Sequence, residues 1–377
     1  MFRRLVRVFS VFALALGVVF AFSGCPAPPK ETPHITALEP IAPAPAIAPV
    51  ETITLPKDEF NTPTKDLAKA VLPEEKLSFA NGKLPLSSWA QLCGFTEIRP
   101  VPTANPPLIE MASASGNLTL VLGQRFAKWN GMNLGLGYAP VSERGQVVVH
   151  SVDVTKTFYP LALGALSIPK QTRVLVIDPG HGGADPGTSA AARRTFEKDL
   201  TLDWALRVER MLTNSSWRVV LTRRDDRDIP LMDRVAIADA NQADLFVSLH
   251  FNSVENNGSG KGGEDSGIET YCLTPAGAPS NVTRNFEDDP RRVYPNNDYD
   301  AQNLLLASRV QSSLIATTGR KDRGVRRARF MSVVREQKRP AVLVEGGFLS
   351  SPGEFALLSK PDFREQMARA ICNALPN

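Results

Sequence analysis

The sequence predicts an α/β protein: a mainly parallel sheet flanked by helices over residues 172–377, preceded by a small, mostly β domain over 78–168. Two textures in the chain carry this expectation. From about Ser78 to Leu166, short apolar runs alternate with turn residues, as in Leu118-Thr119-Leu120-Val121-Leu122-Gly123, the Asn130-Gly131 pair and Val147-Val148-Val149-His150. Strand-sized runs separated by Asn-Gly and Gly punctuation are the pattern of a small β unit. After Pro169, β-branched runs alternate with stretches of helical period, the pattern of a parallel sheet with helical crossovers.

The elements of the second region follow in order. Val174–Asp178 is a strand that runs into the turn Pro179-Gly180-His181-Gly182-Gly183. Helical periodicity spans Leu200–Leu212, a strand follows at Trp217–Leu221, and a second helix is expected at Leu231–Ala240. Further strands fall at Leu245–Leu249, Ile268–Cys272 and Ala341–Glu345, with helices near Ala301–Thr317 and Asp362–Ala374. Between Pro275 and Asp300 the chain is polar and rich in Pro and Asn, which predicts a long loop.

The first residues have a different character. Arg3, Arg4 and Arg7 precede an apolar run from Val8 to Phe22, the charged-then-hydrophobic order of an export signal over residues 1–25. The run ends in Ser23-Gly24-Cys25, which resembles the lipobox at which bacterial lipoproteins are acylated, with Phe22 where that pattern usually has an aliphatic residue. A spanning helix needs about 20 apolar residues, and this run is shorter. Residues 26–77 are a Pro/Ala-rich linker that cannot bury enough apolar surface to fold. The expectation is an exported protein of the periplasm or cell envelope, held to a membrane lipid through Cys25 if that residue is acylated.

Composition narrows the function classes. Hydrophobic content of 43% and charged content of 22% are ordinary for a folded chain. A net charge of +4 favours an anionic polymer, and no stripe of basic and aromatic residues points to nucleic acid. With Cys25 set aside, Cys93, Cys272 and Cys372 cannot all pair, and no CxxC spacing suggests a cysteine metal site.

The chemistry concentrates at strand ends. His181 lies just beyond the strand Val174–Asp178, His250 follows Leu245–Leu249, and Glu197 opens the next helix, so three ligands converge on the rim where open α/β sheets hold their sites. Two imidazoles and a carboxylate are a standard set for catalytic zinc, leaving the fourth position for a water whose pKa the metal lowers to about 7. Glu345 ends the strand Ala341–Glu345 on the same rim and is placed to move the proton.

The segments Val174–Gly187, Glu197-Lys198-Asp199-Leu200, Leu221-Thr222-Arg223, Arg234 with Ala240-Asn241, Ser248–Asn252, Gly267–Tyr271 and Pro340–Ser350 resemble the zinc N-acetylmuramoyl-L-alanine amidases of the LytC and AmiC type. The match runs in order through nearly all of 172–377. The resemblance implies that His181, Glu197 and His250 bind one zinc ion, that Glu345 is the catalytic glutamate, and that the bond cut joins N-acetylmuramic acid to L-alanine in peptidoglycan. Asp178, Asn252 and Glu269 read as orienting or packing residues. Arg223 and Arg234 are open to two readings, salt bridges within the fold or contacts with peptide carboxylates. Some cell-separation amidases of this family resemble this chain in carrying an extra segment at the position of 275–300, where an acidic side chain can occupy the metal until a partner removes it; Glu287, Asp288 and Asp289 are the candidates here, and a solvated acidic loop balanced by Arg291 and Arg292 is the favoured alternative. The β domain is open to binding peptidoglycan, a protein activator or nothing, with spacing as the default. Competing readings are a zinc carboxypeptidase or deacetylase acting on another wall bond, and a wall-binding module without activity.

Overall fold

The computed structural model describes residues 82–164, 166–168, 170–190, 195–253 and 266–376. The expected export signal, Cys25 and the 26–77 linker lie outside the described residues. Five strands open the described chain after a short stretch at Lys83–Trp89: β1 (Phe95–Val101), β2 (Leu108–Ser113), β3 (Gly116–Val121), β4 (Phe126–Trp129) and β5 (Met132–Gly135). Asn130 and Gly131 both take positive φ, 49° and 83°, which is the turn that β4 and β5 need to pair as a tight hairpin. There follow β6 (Arg173–Pro179), α1 (Glu197–Met211), β7 (Trp217–Leu221), α2 (Leu231–Ala240), β8 (Leu245–Asn252), β9 (Ile268–Leu273), α3 (Asp300–Thr318), β10 (Asp322–Ala328), β11 (Ala341–Phe348) and α4 (Pro361–Ala374).

These eleven strands form one sheet, in the order β7-β6-β8-β11-β9-β10-β5-β4-β3-β2-β1, beside a three-stranded sheet of Lys83–Pro85, Gln146–His150 and Val141–Glu143 and a two-stranded one of Ser189–Ala190 and Thr195–Phe196. β7, β6, β8 and β11 are mutually parallel; β9 runs antiparallel to β11 and parallel to β10. The β-rich segment therefore extends the sheet of the α/β region. β5 pairs with β10 in parallel through Leu134 and Val325, and Asn133 reinforces the joint, its N–H donating to Asp322 Oδ2 at 2.7 Å and its Nδ2 to the Asp322 carbonyl at 3.1 Å. Strands β1 to β5 pair as an antiparallel meander, which local hairpins explain.

The central strands are buried on both faces, as parallel sheets covered by helices must be. On one face Leu175, Ile177, Leu245, Val247, Leu249 and Val344 pack under α1, α3 and α4 in the larger core, which continues into Trp89, Phe95 and Phe158 of the β-rich segment. On the other, Val176, Phe246, Tyr271 and Leu343 form a smaller core beneath α2 and the turn at Ser332–Arg335. The smaller core leaves one end of that face uncovered, where β6, β8 and β11 reach their carboxyl ends.

Candidate metal centre

The turn after β6 is shaped by its glycines. A side chain at Gly180 would place a Cβ 2.2 Å from His250 Cε1, and one at Gly187 would sit 2.7 Å from Glu197 Oε2. The backbone must pass that close for the imidazole and carboxylate to meet, so neither position admits a larger residue. His181 itself adopts φ 62°, a left-handed conformation that costs a non-glycine residue on the order of 1–3 kcal/mol and has to be held by its surroundings.

Two buried arginines hold it. Arg234 donates from Nη1 to Asp178 Oδ1 at 2.7 Å and to the Pro179 carbonyl at 2.9 Å, and from Nη2 to the His181 carbonyl at 2.9 Å. Arg223 donates to the carbonyls of Pro179, Gly180 and Lys198 at 3.0, 2.9 and 2.8 Å. Asp178 is closed off by Thr222 and Ser248, at 2.6 and 2.7 Å, and these donors with the Arg234 charge outweigh burial and keep its carboxyl below the usual range. Of the two readings open for Arg223 and Arg234, the geometry selects the structural one: their donors are spent on the turn that carries His181.

Three side chains then converge. His181 Nε2 is 3.1 Å and His250 Nδ1 3.0 Å from Glu197 Oε1, and the three ligand atoms lie within 4.8 Å of one another. For bonds of about 2.0–2.1 Å, the ligand atoms of a tetrahedral zinc stand about 3.4 Å apart, so the arrangement fits such an ion. Among the described residues this is the one cluster of three that could hold a metal. Glu197 comes from the first residue of α1 and is fixed by the Phe251 N–H on Oε1 and the Thr188 N–H on Oε2, both at 2.9 Å. Burial raises its pKa, but hydrogen bonds from His181 and His250 overcome that and lower it, so the group is a carboxylate.

Glu345 stands beside the cluster as the register partner of His250. It is 5% exposed, and its Oε2 is buried with no hydrogen-bond partner among the described residues. Burial pushes its pKa up to about 7. An unpaired buried carboxylate oxygen is costly unless a substrate or water completes it.

The sequence profile of N-acetylmuramoyl-L-alanine amidases matches residues 175–377. The chain belongs to that family. It is 33% identical over 208 residues to the uncharacterized protein YqiI of Bacillus subtilis, covering 55% of this chain and 85% of that protein. It is also 33% identical over 207 residues to the N-acetylmuramoyl-L-alanine amidase LytC of Bacillus subtilis, covering 55% of this chain and 35% of LytC. Among solved structures, the catalytic domain of the amidase CwlV of Bacillus (Paenibacillus) polymyxa var. colistinus is similar at 33% identity and a TM-score of 0.44, over 54% of this chain and 96% of that chain.

In this amidase the cluster opens into a cleft of about 560 Å³ lined by Leu231, Asn252, Tyr271, Phe330 and Val333 as well as the residues above. Two further residues at the site take no role from the sequence, although Asp185 falls within the family-like segment Val174–Gly187. Asp185 Oδ2 is 2.7 Å from His181 Nδ1, so it orients the ring and leaves Nε2 toward the metal position. Its signal was its place four residues beyond His181 in the same turn, within reach of the ring. The other is Arg284, from the segment between β9 and α3, which lines the cleft. The acidic residues offered as candidates to reach the metal from that segment are placed elsewhere in this structure. Asp288 pairs with buried Arg329 at 2.6 Å and with Ser280, and Asp289 pairs with Arg291 at 3.0 Å; Glu287 is exposed and outside the cleft lining.

Proposed function

We propose that His181, Glu197 and His250 hold one zinc ion and that Glu345 moves the proton while this amidase hydrolyses the bond between N-acetylmuramic acid and the L-alanine of the stem peptide in peptidoglycan. The observation that carries the proposal is the meeting of two imidazole nitrogens and one carboxylate oxygen beside the unpaired Oε2 of Glu345. A zinc ion in that position would polarise the scissile carbonyl and acidify a water. The protein supplies the rest. Asp185 keeps His181 in the tautomer that presents Nε2, the Phe251 and Thr188 N–H groups fix the Glu197 carboxylate, and Arg234 holds the turn. Glu345, with its proton affinity raised by burial, takes a proton from the attacking water and returns it to the leaving amine.

The substrate places the enzyme in the cell envelope, with the export signal at 1–25, an acyl group on Cys25 and the Pro/Ala-rich 26–77 segment as its route and tether. No helix among the described residues is long and apolar enough to cross a membrane. A carboxypeptidase or deacetylase is disfavoured by family membership. Digestion of purified peptidoglycan followed by mass spectrometry tests the reading: free stem peptides with an N-terminal L-alanine and intact glycan are expected, abolished by a chelator and restored by zinc. Release of D-alanine or of acetate instead would overturn it.

A further inference from the structure

Among the described residues that line the cleft, one arginine keeps its counter-ion beyond hydrogen-bond distance. Arg284 presents its guanidinium at the cleft wall with its side chain 39% exposed, and Glu345 Oε1 lies 3.6 Å from Nη2, too far for a hydrogen bond. Glu345 is the counter-ion of this guanidinium at ion-pair distance, and the hydrogen-bond and ring contacts that hold it are neutral. Nη2 donates to Asn252 Oδ1 at 2.9 Å, and the plane lies over the rings of Phe330 and Tyr271, 5.1 and 5.9 Å from their centroids. The amide of Asn252 is itself oriented, because its Nδ2 donates to Glu269 Oε1 at 2.7 Å and its Oδ1 accepts from Arg284.

The backbone that delivers Arg284 is pinned at both feet. Arg125 donates to the carbonyls of Pro279 and Ser280, both at 3.0 Å, and Asn281 Nδ2 donates to the Leu136 carbonyl at 2.8 Å. Asp288 closes the other foot on Arg329 and Ser280. Between them Arg284 and Asn285 take left-handed φ values of 45° and 62°, an arrangement with a cost that the anchors must cover. Fixing a loop in this way lowers the ordering cost when a ligand binds. Part of the anchoring comes from the β-rich segment, so those strands contribute to the site without lining it.

We infer that Arg284 is the receptor for a free carboxylate on the stem peptide, on the leaving side of the scissile amide. The planar fork of N–H donors suits a carboxylate, and Asn252 and the aromatic rings orient it while its counter-ion Glu345 stays beyond hydrogen-bond distance. The inference rests on the amidase reading, and it differs from a role in which Arg284 only balances Glu345.

Two synthetic muropeptides that differ at one group separate these roles: a stem whose second residue carries a free α-carboxylate, and the same stem with a carboxamide there. The wild-type enzyme loaded with zinc is expected to prefer the carboxylate form in kcat/KM by about tenfold to a hundredfold, the range for a charge-assisted hydrogen bond. Arg284→Gln should remove most of that preference, read as the ratio of kcat/KM on the two substrates and lost chiefly through KM on the carboxylate form; Arg284→Lys should restore part of it. Zinc content and melting temperature confirm that each variant is folded and loaded. Equal losses on both substrates would assign Arg284 to Glu345 alone and overturn the inference, as would no preference in the wild type or a preference kept in Arg284→Gln. Cleavage of neither substrate by the wild type would overturn the amidase reading and the inference with it.

Discussion

Glu345 and His250 are register partners in the parallel pairing of β11 and β8, so their side chains leave the sheet on the same face at adjacent positions. The pairing fixes the separation of a proposed metal ligand and a proposed acid–base group through backbone hydrogen bonds. It also separates their proposed roles, since Glu345 is absent from the three-atom cluster that could hold an ion. Glu345→Gln is therefore expected to keep stoichiometric zinc and lose turnover by about 10²–10⁴-fold, the usual worth of a positioned acid–base group. Metal analysis alongside peptidoglycan hydrolysis checks this, and a fully active variant would remove Glu345 from the mechanism.

The three proposed ligands should behave differently. His181→Ala, Glu197→Ala and His250→Ala are each expected to lose zinc and activity together. In the metal-free protein, burial lowers the pKa of His181, but hydrogen bonds and charge from Glu197 and then Asp185 prevail and raise it from 6.5 to about 9. A raised folded-state pKa means that this stabilisation is complete below 6.5 and is lost as pH climbs through about 9. Urea melts of chelated protein should show that decline across the window, and zinc loading at pH 8 should release a proton. Asp185→Asn should shrink the decline and weaken zinc binding about 10–100-fold. A flat stability profile in the chelated wild type would contradict the raised pKa.

Gly180→Ala tests the close approach at the turn. Its Cβ would fall 2.2–2.6 Å from three atoms of the His250 ring, so the ring has to move. The expected outcome is a folded protein with greatly weakened zinc binding, read by metal titration and circular dichroism. Undiminished zinc affinity would show that the turn relaxes freely.

Arg234→Ala addresses the two readings open at that residue. It would leave Asp178 charged and buried without its ion-pair partner, which typically costs about 3–5 kcal/mol, and would also release the His181 carbonyl. A large fall in melting temperature is expected. A variant of unchanged stability with a raised KM would restore the substrate-contact reading.

Much of this site was legible because its chemistry sits where strands stop. His181, His250 and Glu345 each follow or end a run whose period identifies a strand, and Glu197 opens one whose period identifies a helix, so their shared rim could be inferred before any contact was known. Asp185 and Arg284 had no such frame. Arg284 depends on a loop whose path is set by Arg125, Asn281 and Asp288, and no periodicity encodes those contacts. The continuous sheet was equally hidden. The pairing of Leu134 with Val325 joins strands nearly two hundred residues apart, and an edge strand looks the same in sequence whether it ends a small β domain or extends a larger sheet.

The loop between β9 and α3 gives the last prediction, because the sequence directed attention to its acidic residues and the structure gives them separate roles. Asp288 accepts from the Ser280 N–H and hydroxyl, at 2.7 and 2.6 Å, and from Arg329, whose side chain is fully buried. Those donors outweigh the penalty of burial and keep its pKa below the usual range. Asp288→Ala would leave the Arg329 charge buried with carbonyl partners at Pro275 and Ala278 but no counter-ion. The expected result is a loss of stability on the order of 3–5 kcal/mol, as for other broken buried pairs, together with lower activity as the foot of the Arg284 loop loosens. Glu287 is exposed and does not line the cleft, so Glu287→Ala should leave the rate of peptidoglycan hydrolysis and the melting temperature unchanged. An inhibitory carboxylate would act in the opposite direction: a rise in rate in Glu287→Ala at constant zinc content would mean that this side chain visits the metal position and that the loop restrains the enzyme.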